Sequence, residues 1–363
     1  MSSINYIGEV LRTRLSHYCE EVLYGSRPDI HVLRPEVFIY FDKHVRNSDA
    51  HNCFFEFAAP SWIKLIEARR FYDAQKLWEE LLTLTRQWES QRRSPVHKGT
   101  PFYFWAVTSI LTDDLDKGFL LMHQALVEDQ RTSGEKNPPT PAHSFVCLDA
   151  QNQRQFFKDY VDEAARFLAD LMAKYREKNG MSLCFDDFVA RFLQNTDLEE
   201  IRFYFVYVLC RTKRFFDTIV PSLTENIIGS LMETGIIFDL CLTVENTIKI
   251  KNNIKYSRRL TFIKHLGFLA TQSKLSLSEN ELGEINSEFN NDFENALNSL
   301  LTGQILPSLN RRLNPIEEDL VISYGFRNLG AHSLESYNII FENFEEIIER
   351  VINSLFFTIE KVY

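Results

Sequence analysis

At 363 residues, with 45% hydrophobic and 25% charged side chains, the chain has an ordinary globular composition and the length for two or three domains. Its formal net charge of −10 excludes a protein that coats nucleic acid non-specifically, while leaving room for a local basic groove. Six cysteines (Cys19, Cys53, Cys147, Cys184, Cys210 and Cys241) show no CxxC or metal-finger spacing and read as reduced thiols of a cytoplasmic protein.

The chain opens without a basic segment followed by an apolar run, so no signal peptide is expected. No apolar run approaches the roughly 20 residues that span a bilayer, and no membrane partner is expected either. Residues 1–57 are the least readable part. Ile7–Tyr24 has the pattern of an amphipathic helix, with Val10, Leu11, Leu15, Tyr18, Val22 and Leu23 apolar. Val37–Phe41 is a short apolar run that periodicity assigns to neither helix nor strand.

Residues 58–130 read as helical hairpins. Arg70–Leu82 carries Phe71, Ala74, Trp78, Leu81 and Leu82 on one side, and Asp114–Leu126 places Leu115, Gly118, Met122, Ala125 and Leu126 at the same offsets. Phe102, Trp105 and Ala106 supply a large-large-small set on the helix before the second copy; the first copy has Ala58, Ser61 and Trp62 there. The pattern resembles the tetratricopeptide (TPR) unit, with Glu89–Gly99 as an insertion between copies. That resemblance implies a concave surface for a protein partner; a plain pair of helical hairpins is the alternative. Residues 131–143, polar with three prolines, read as a linker, and residues 144–220 as connecting helices at Phe156–Tyr175, Phe185–Leu193 and Leu198–Cys210.

Residues 221–363 read as a separate helical bundle. Its helices are expected at about Leu223–Ile250, Leu260–Thr271, Glu281–Leu301, Asn314 onward and Tyr337–Ile359. Between Lys249 and His265 the cations Lys249, Lys251, Lys255, Arg258, Arg259 and Lys264 occur with no acid among them. Asn314 suits an N-cap, Pro315 the first helical position and Glu317 a capping box. Leu320, Tyr324, Arg327 and Ala331 then share one stripe, so an arginine ends an apolar face. Asn328 follows at once, Gly330 is expected to break the helix, and His332 precedes the last helix.

Arg327–Asn328–x3–His332 resembles the R-x4–6-H motif of the HEPN superfamily, in position as well as in spacing. The resemblance spans Pro221–Tyr363 and, beyond the motif, rests on helix layout. It implies an all-α, homodimeric, metal-independent endoribonuclease without cofactor, whose paired motifs meet across the dimer in antiviral defence or toxin-type growth arrest. Arg327 would hold the RNA phosphate, Asn328 would position the phosphate or His332, and His332 would move the proton. Glu245, on the apolar stripe of its helix, is a candidate orienting acid or else a helix-end carboxylate reaching solvent. Lys249, Lys251, Lys255, Arg258, Arg259, Arg311 and Arg312 are candidate RNA-backbone contacts or else a solvated face. Arg12/His17, Arg46/His51 and Arg92/His97 share the spacing. They lie within a continuous helix, in a polar turn and across Pro95, so helical context is what singles out Arg327/His332. A non-catalytic RNA-binding or dimerising adaptor is the competing reading.

Overall fold

The computed structural model describes residues 3–45, 54–219, 227–252, 261–332 and 337–363; every regular element among them is helical, with no strand. None of the described helices is long and apolar enough to cross a membrane. The chain divides into two compact units, Met1–Phe145 with Asn152–Phe157, and Val146–Gln151 with Lys158–Tyr363.

The first unit contains α1 (Ser3–Leu23), α2 (Arg34–Val45), α3 (Ala59–Glu67), α4 (Phe71–Arg92), α5 (Gly99–Leu111) and α6 (Leu115–Ser133), and most of α7 (Pro141–Val146). Leu11, Leu15, Tyr18, Cys19 and Val22 make the buried stripe of α1 at three- and four-residue spacing. The run Val37–Phe41 is helical, inside α2. Val37, Tyr40 and Phe41 are buried there, and the Phe41 ring lies 5.6 Å from Phe55 and 5.7 Å from Trp88.

Two hairpins follow, α3 with α4 and α5 with α6. Trp62 of α3 is fully buried; its ring stacks 4.3 Å from Phe104 of α5 and its Nε1 donates to Thr108 Oγ1 at 3.1 Å. Gly118 lets α5 and α6 close together. A Cβ there would stand 2.5 Å from the Ile110 side chain and 3.2 Å from the Ala106 carbonyl. The connection between the hairpins is tied down by acids. Glu89 accepts from the Val96 amide at 2.8 Å and from Lys98 Nζ at 2.6 Å, while Asp129 meets His97 Nε2 at 2.9 Å. The expected linker is narrower than residues 131–143, because α6 runs to Ser133 and α7 begins at Pro141.

Helix α8 (Gln155–Asn179) begins in the first unit, runs on into the second and ends at Gly180, whose φ of +61° suits glycine. The second unit continues with α9 (Phe185–Phe188), a π-helical turn (Val189–Leu193), α10 (Glu199–Arg214) and α11 (Ile227–Asn252). Then come α12 (Phe262–Ser273), α13 (Glu279–Asn291), α14 (Phe293–Leu301), α15 (Pro315–His332), α16 (Asn338–Glu342) and α17 (Phe344–Val362).

Residues 158–219 are more than a connection: they belong to the same unit as the C-terminal helices. Asp239 of α11 accepts from Tyr204 at 2.7 Å and from Arg211 at 3.0 Å, both on α10. Phe188 and Tyr175 each pack 5.5 Å from Phe356 of α17. With such contacts, a bundle cut at residue 221 would expose apolar surface. Pro221 itself lies outside the described residues.

Two helices expected to be continuous are interrupted. Asp292 separates α13 from α14 because its side chain caps the Asn295 amide at 3.1 Å in an extended conformation (φ −154°, ψ 88°). Asn343 likewise leaves helical geometry (φ −121°, ψ 18°) between α16 and α17. Beyond it α17 is central: every residue from Arg350 to Ile359 is buried. Its polar members are satisfied across the seam with α15, where Asn353 donates to Asp319 at 2.9 Å, Arg350 to Glu318 at 3.2 Å, and Ser323 to Ser354 at 2.9 Å.

Candidate functional site

The site is carried by α15, whose start is fixed by local chemistry. Asn314 Oδ1 accepts from the Ile316 and Glu317 amides at 3.1 and 3.0 Å, and Glu317 returns a bond to the Asn314 amide at 3.0 Å. An equivalent capping box, Ser278 with Glu281, opens α13. Arg311 bridges the two: its Nε donates to Glu281 at 2.8 Å and its Nη1 to Glu317 at 2.7 Å. Arg311 is therefore a structural tie between the two helix starts.

Gly330 does not end the helix. Helix α15 continues through it to His332. One glycine costs a helix only about 1 kcal/mol, and Ala331, the best helix former, follows it. Arg327 and His332 therefore share one continuous helix, with positions about 140° apart around its axis. His332 occupies the final turn, and its side chain lies outside the described residues.

Four helices bring polar groups together near Arg327. Glu245, near the C-terminal end of α11 and 8% exposed, accepts from Arg327 Nε at 2.7 Å. The Arg327 side chain is 28% exposed, and its Nη atoms have no hydrogen bond among the described residues. Asn328 Nδ2 donates to Asn286 Oδ1 of α13 at 2.9 Å, and the same oxygen accepts the Tyr324 hydroxyl at 2.8 Å. From α12 comes His265, 2% exposed, with Nδ1 3.5 Å from the side-chain nitrogen of Asn252.

Burial dominates the electrostatics. It pushes the His265 imidazole below its usual range, against the pull of Glu245 and with help from Lys249. It pushes the Cys241 thiol well up, reinforced by Glu245 and opposed by Arg327. The Tyr324 phenol is also raised by burial, while an Asn328 hydrogen bond and Arg327 act the other way. The neighbourhood thus holds a neutral imidazole, a neutral thiol, a neutral phenol and one compensated ion pair. What it can do chemically is offer the Nη edge of a fixed guanidinium to an anion, beside the Asn328 amide.

The remaining candidates scatter. Lys249 is exposed; Lys251 sits over the Tyr363 ring at 4.6 Å; Lys264 is ion-paired with Glu279. Arg312 is exposed beside Gly303. Lys255, Arg258 and Arg259 lie outside the described residues. Sequence reasoning missed Asn286 and His265. Both had a signal, since each is a polar residue on an apolar stripe: Leu282, Ile285 and Phe289 around Asn286; Phe262, Leu266 and Leu269 around His265. Among the described residues no group of three or more His, Cys, Asp and Glu side chains is arranged to hold a metal ion.

Comparison with protein-family models, with curated proteins and with solved structures gives no match to this chain. The class that fold and site define is therefore that of an all-α protein with a buried-carboxylate-anchored arginine.

Proposed function

We propose that this chain is an endoribonuclease of the HEPN type, with Arg327, Asn328 and His332 as its catalytic set and RNA as its substrate. The observation that supports the reading is the state of Arg327: a buried carboxylate from another helix holds Nε, and the Nη edge is open among the described residues. A fixed, partly exposed guanidinium is preorganised for a phosphate, because little reorganisation remains when charge develops on the phosphoryl oxygens.

In the reaction, the ribose 2′-oxygen bonds to the adjacent phosphorus and the P–O5′ bond breaks. The 2′-hydroxyl proton passes to a base, and a proton is delivered to the leaving 5′-oxygen. His332 would serve as that base or acid, and Arg327 would stabilise the charge on the phosphoryl oxygens. Products carry 2′,3′-cyclic phosphate and 5′-hydroxyl ends. Two positions diverging by about 140° on one helix suit a composite site, in which arginine and histidine at one phosphate come from different copies of a homodimer. The hairpins of the first unit would serve as a TPR-like surface for a protein partner or trigger, in antiviral defence or growth arrest in the cytoplasm.

The continuity of α15 also favours a second reading, a non-catalytic RNA-binding or dimerising adaptor, in which Glu245–Arg327 is only a tie between helices. Incubating several RNA types with the full-length chain in EDTA separates the two. Wild type should leave 2′,3′-cyclic ends, and Arg327→Ala and His332→Ala should each lower the rate by roughly 100-fold or more. No cleavage by wild type selects the adaptor, and cleavage that survives both substitutions removes this motif from the mechanism.

A further inference from the structure

The Asn328 amide is held from two sides. Its Nδ2 donates to Asn286 Oδ1 at 2.9 Å, and it also hydrogen-bonds the hydroxyl of Tyr324, which is 3% exposed. Asn286 Oδ1 takes the Tyr324 hydroxyl as well, at 2.8 Å, so one carbonyl on α13 gathers both donors. A primary amide has two N–H donors and one carbonyl acceptor. With its nitrogen engaged by both neighbours, the group Asn328 has left to offer is its carbonyl oxygen, which meets no donor among the described residues. An acceptor cannot hydrogen-bond a phosphate oxygen. It can accept a hydroxyl proton, one residue from the open edge of Arg327.

From this geometry we infer that Asn286 is a positioning residue. It turns the Asn328 carbonyl toward substrate as an acceptor for a ribose 2′-hydroxyl, while Arg327 takes the adjoining phosphate. The inference rests on the ribonuclease reading and deepens it by assigning the discrimination of ribose from deoxyribose to Asn286 and Asn328. The acceptor oxygen of Asn286 carries the effect and its own nitrogen is dispensable, so Asn286→Asp keeps the arrangement and Asn286→Ala loses it.

The test is fluorescence anisotropy with a labelled oligoribonucleotide and the oligodeoxyribonucleotide of matching sequence, using full-length chain carrying His332→Ala so that substrate persists. The expected result is a preference for the ribo form that falls by about two- to tenfold in Asn286→Ala, the range of one lost hydrogen bond, and is restored in Asn286→Asp. Affinity for the deoxy form, set by phosphate contacts, should be the same in Asn286→Ala as in its parent; the added charge of Asn286→Asp weakens both forms alike, so the ribo-to-deoxy ratio is what aspartate restores. A general weakening of packing would lower both affinities together and would not be rescued by aspartate. An unchanged ribo preference in Asn286→Ala overturns the inference and leaves the ribonuclease reading standing. So does a loss in Asn286→Asp equal to that in Asn286→Ala. If the chain with native His332 cleaves no RNA and the tested chain binds neither oligonucleotide, the ribonuclease reading falls and this inference falls with it.

Discussion

Removing the anchor of Arg327 should cost stability by an amount the geometry sets. Glu245 and Arg327 approach to 2.7 Å, with side-chain exposures of 11% and 28%. Unit charges about 4 Å apart attract by about 4 kcal/mol at an effective dielectric constant of about 20. Solvent at the guanidinium screens part of this, so the pair should fall between exposed pairs, at about 0.2–1 kcal/mol, and fully buried ones, at about 3–5 kcal/mol for a broken pair. A coupling of about 2 kcal/mol follows for the double-mutant cycle of Glu245→Gln and Arg327→Gln. The single Arg327→Gln change should be the more damaging, since it strands a buried carboxylate. The assay is urea unfolding at pH 7 followed by two probes. All four tryptophans (Trp62, Trp78, Trp88 and Trp105) lie in the first unit. Their fluorescence reports that unit, and the circular-dichroism change it does not share reports the second. A coupling below about 0.5 kcal/mol, with unchanged m-values, would show that Glu245 does not hold the arginine.

Glu233 is 1% exposed, burial pushes its carboxyl up to about 7, and its Oε2 has no hydrogen-bond partner among the described residues. The folded state therefore binds the proton more tightly than the unfolded one, so stability should fall as pH rises from 4.5 to about 7 and then level off. The loss is about 3 kcal/mol at about 1.4 kcal/mol per pH unit. Glu233→Gln should raise the second unit's stability at pH 8 and flatten its pH profile, apart from a residual slope of the same sign from Asp319, raised to about 6; a profile identical to wild type would refute this. Arg311→Ala should destabilise the second unit by about 1–3 kcal/mol through two loosened capping boxes, and leave the salt dependence of RNA binding unchanged. A salt slope reduced by about one would make Arg311 one of the phosphate contacts of the proposed ribonuclease. Gly325→Ala should cost about 1–3 kcal/mol, because the new Cβ would stand 2.6 Å from the Phe289 ring. Phe289→Leu in the same chain should recover part of the loss, and a thermal melt that shows no recovery would place the strain elsewhere.

The helices were largely legible because their information is local. Asn314 and Glu317 at the start of α15 act within a few residues, and the structure uses them as the sequence implies. The interruptions at Asp292 and Asn343 were hidden because apolar spacing continues across them, with Phe289 and Phe293, then Ile340 and Phe344, all buried. Only the capping preference of a short polar side chain opposes that spacing, and its strength depends on the neighbours. The assignment of residues 158–219 was illegible for another reason. Nothing near Tyr204 or Arg211 in sequence announces Asp239 as their shared partner. At the site, Glu245 could be singled out as a charge on an apolar stripe, but its pairing with Arg327, 82 residues on, is tertiary information. Asn286 and His265 carried the same kind of signal, a polar residue on a buried stripe.

The continuity of α15 changes what distinguishes the arginine–histidine pairs. Helical context set Arg12 and His17 aside because they lie on one continuous helix, and Arg327 and His332 lie on one too. The spacing and the helix junction therefore cannot separate them. The anchors do. Arg12 pairs with Glu9 one turn away on its own exposed surface, an arrangement that fixes the guanidinium by only a few tenths of a kcal/mol. Arg92 spends Nε and Nη2 on Asp42, and His97 is engaged by Asp129. Arg327 gives only Nε to a buried carboxylate on another helix, and the amide beside it is oriented by a third. Of these arginines it is the one whose anchor is buried, Glu245 being 11% exposed against 28% for the Asp42 that holds Arg92, and whose whole Nη edge is open among the described residues. Those are the two properties an anion site requires of a guanidinium.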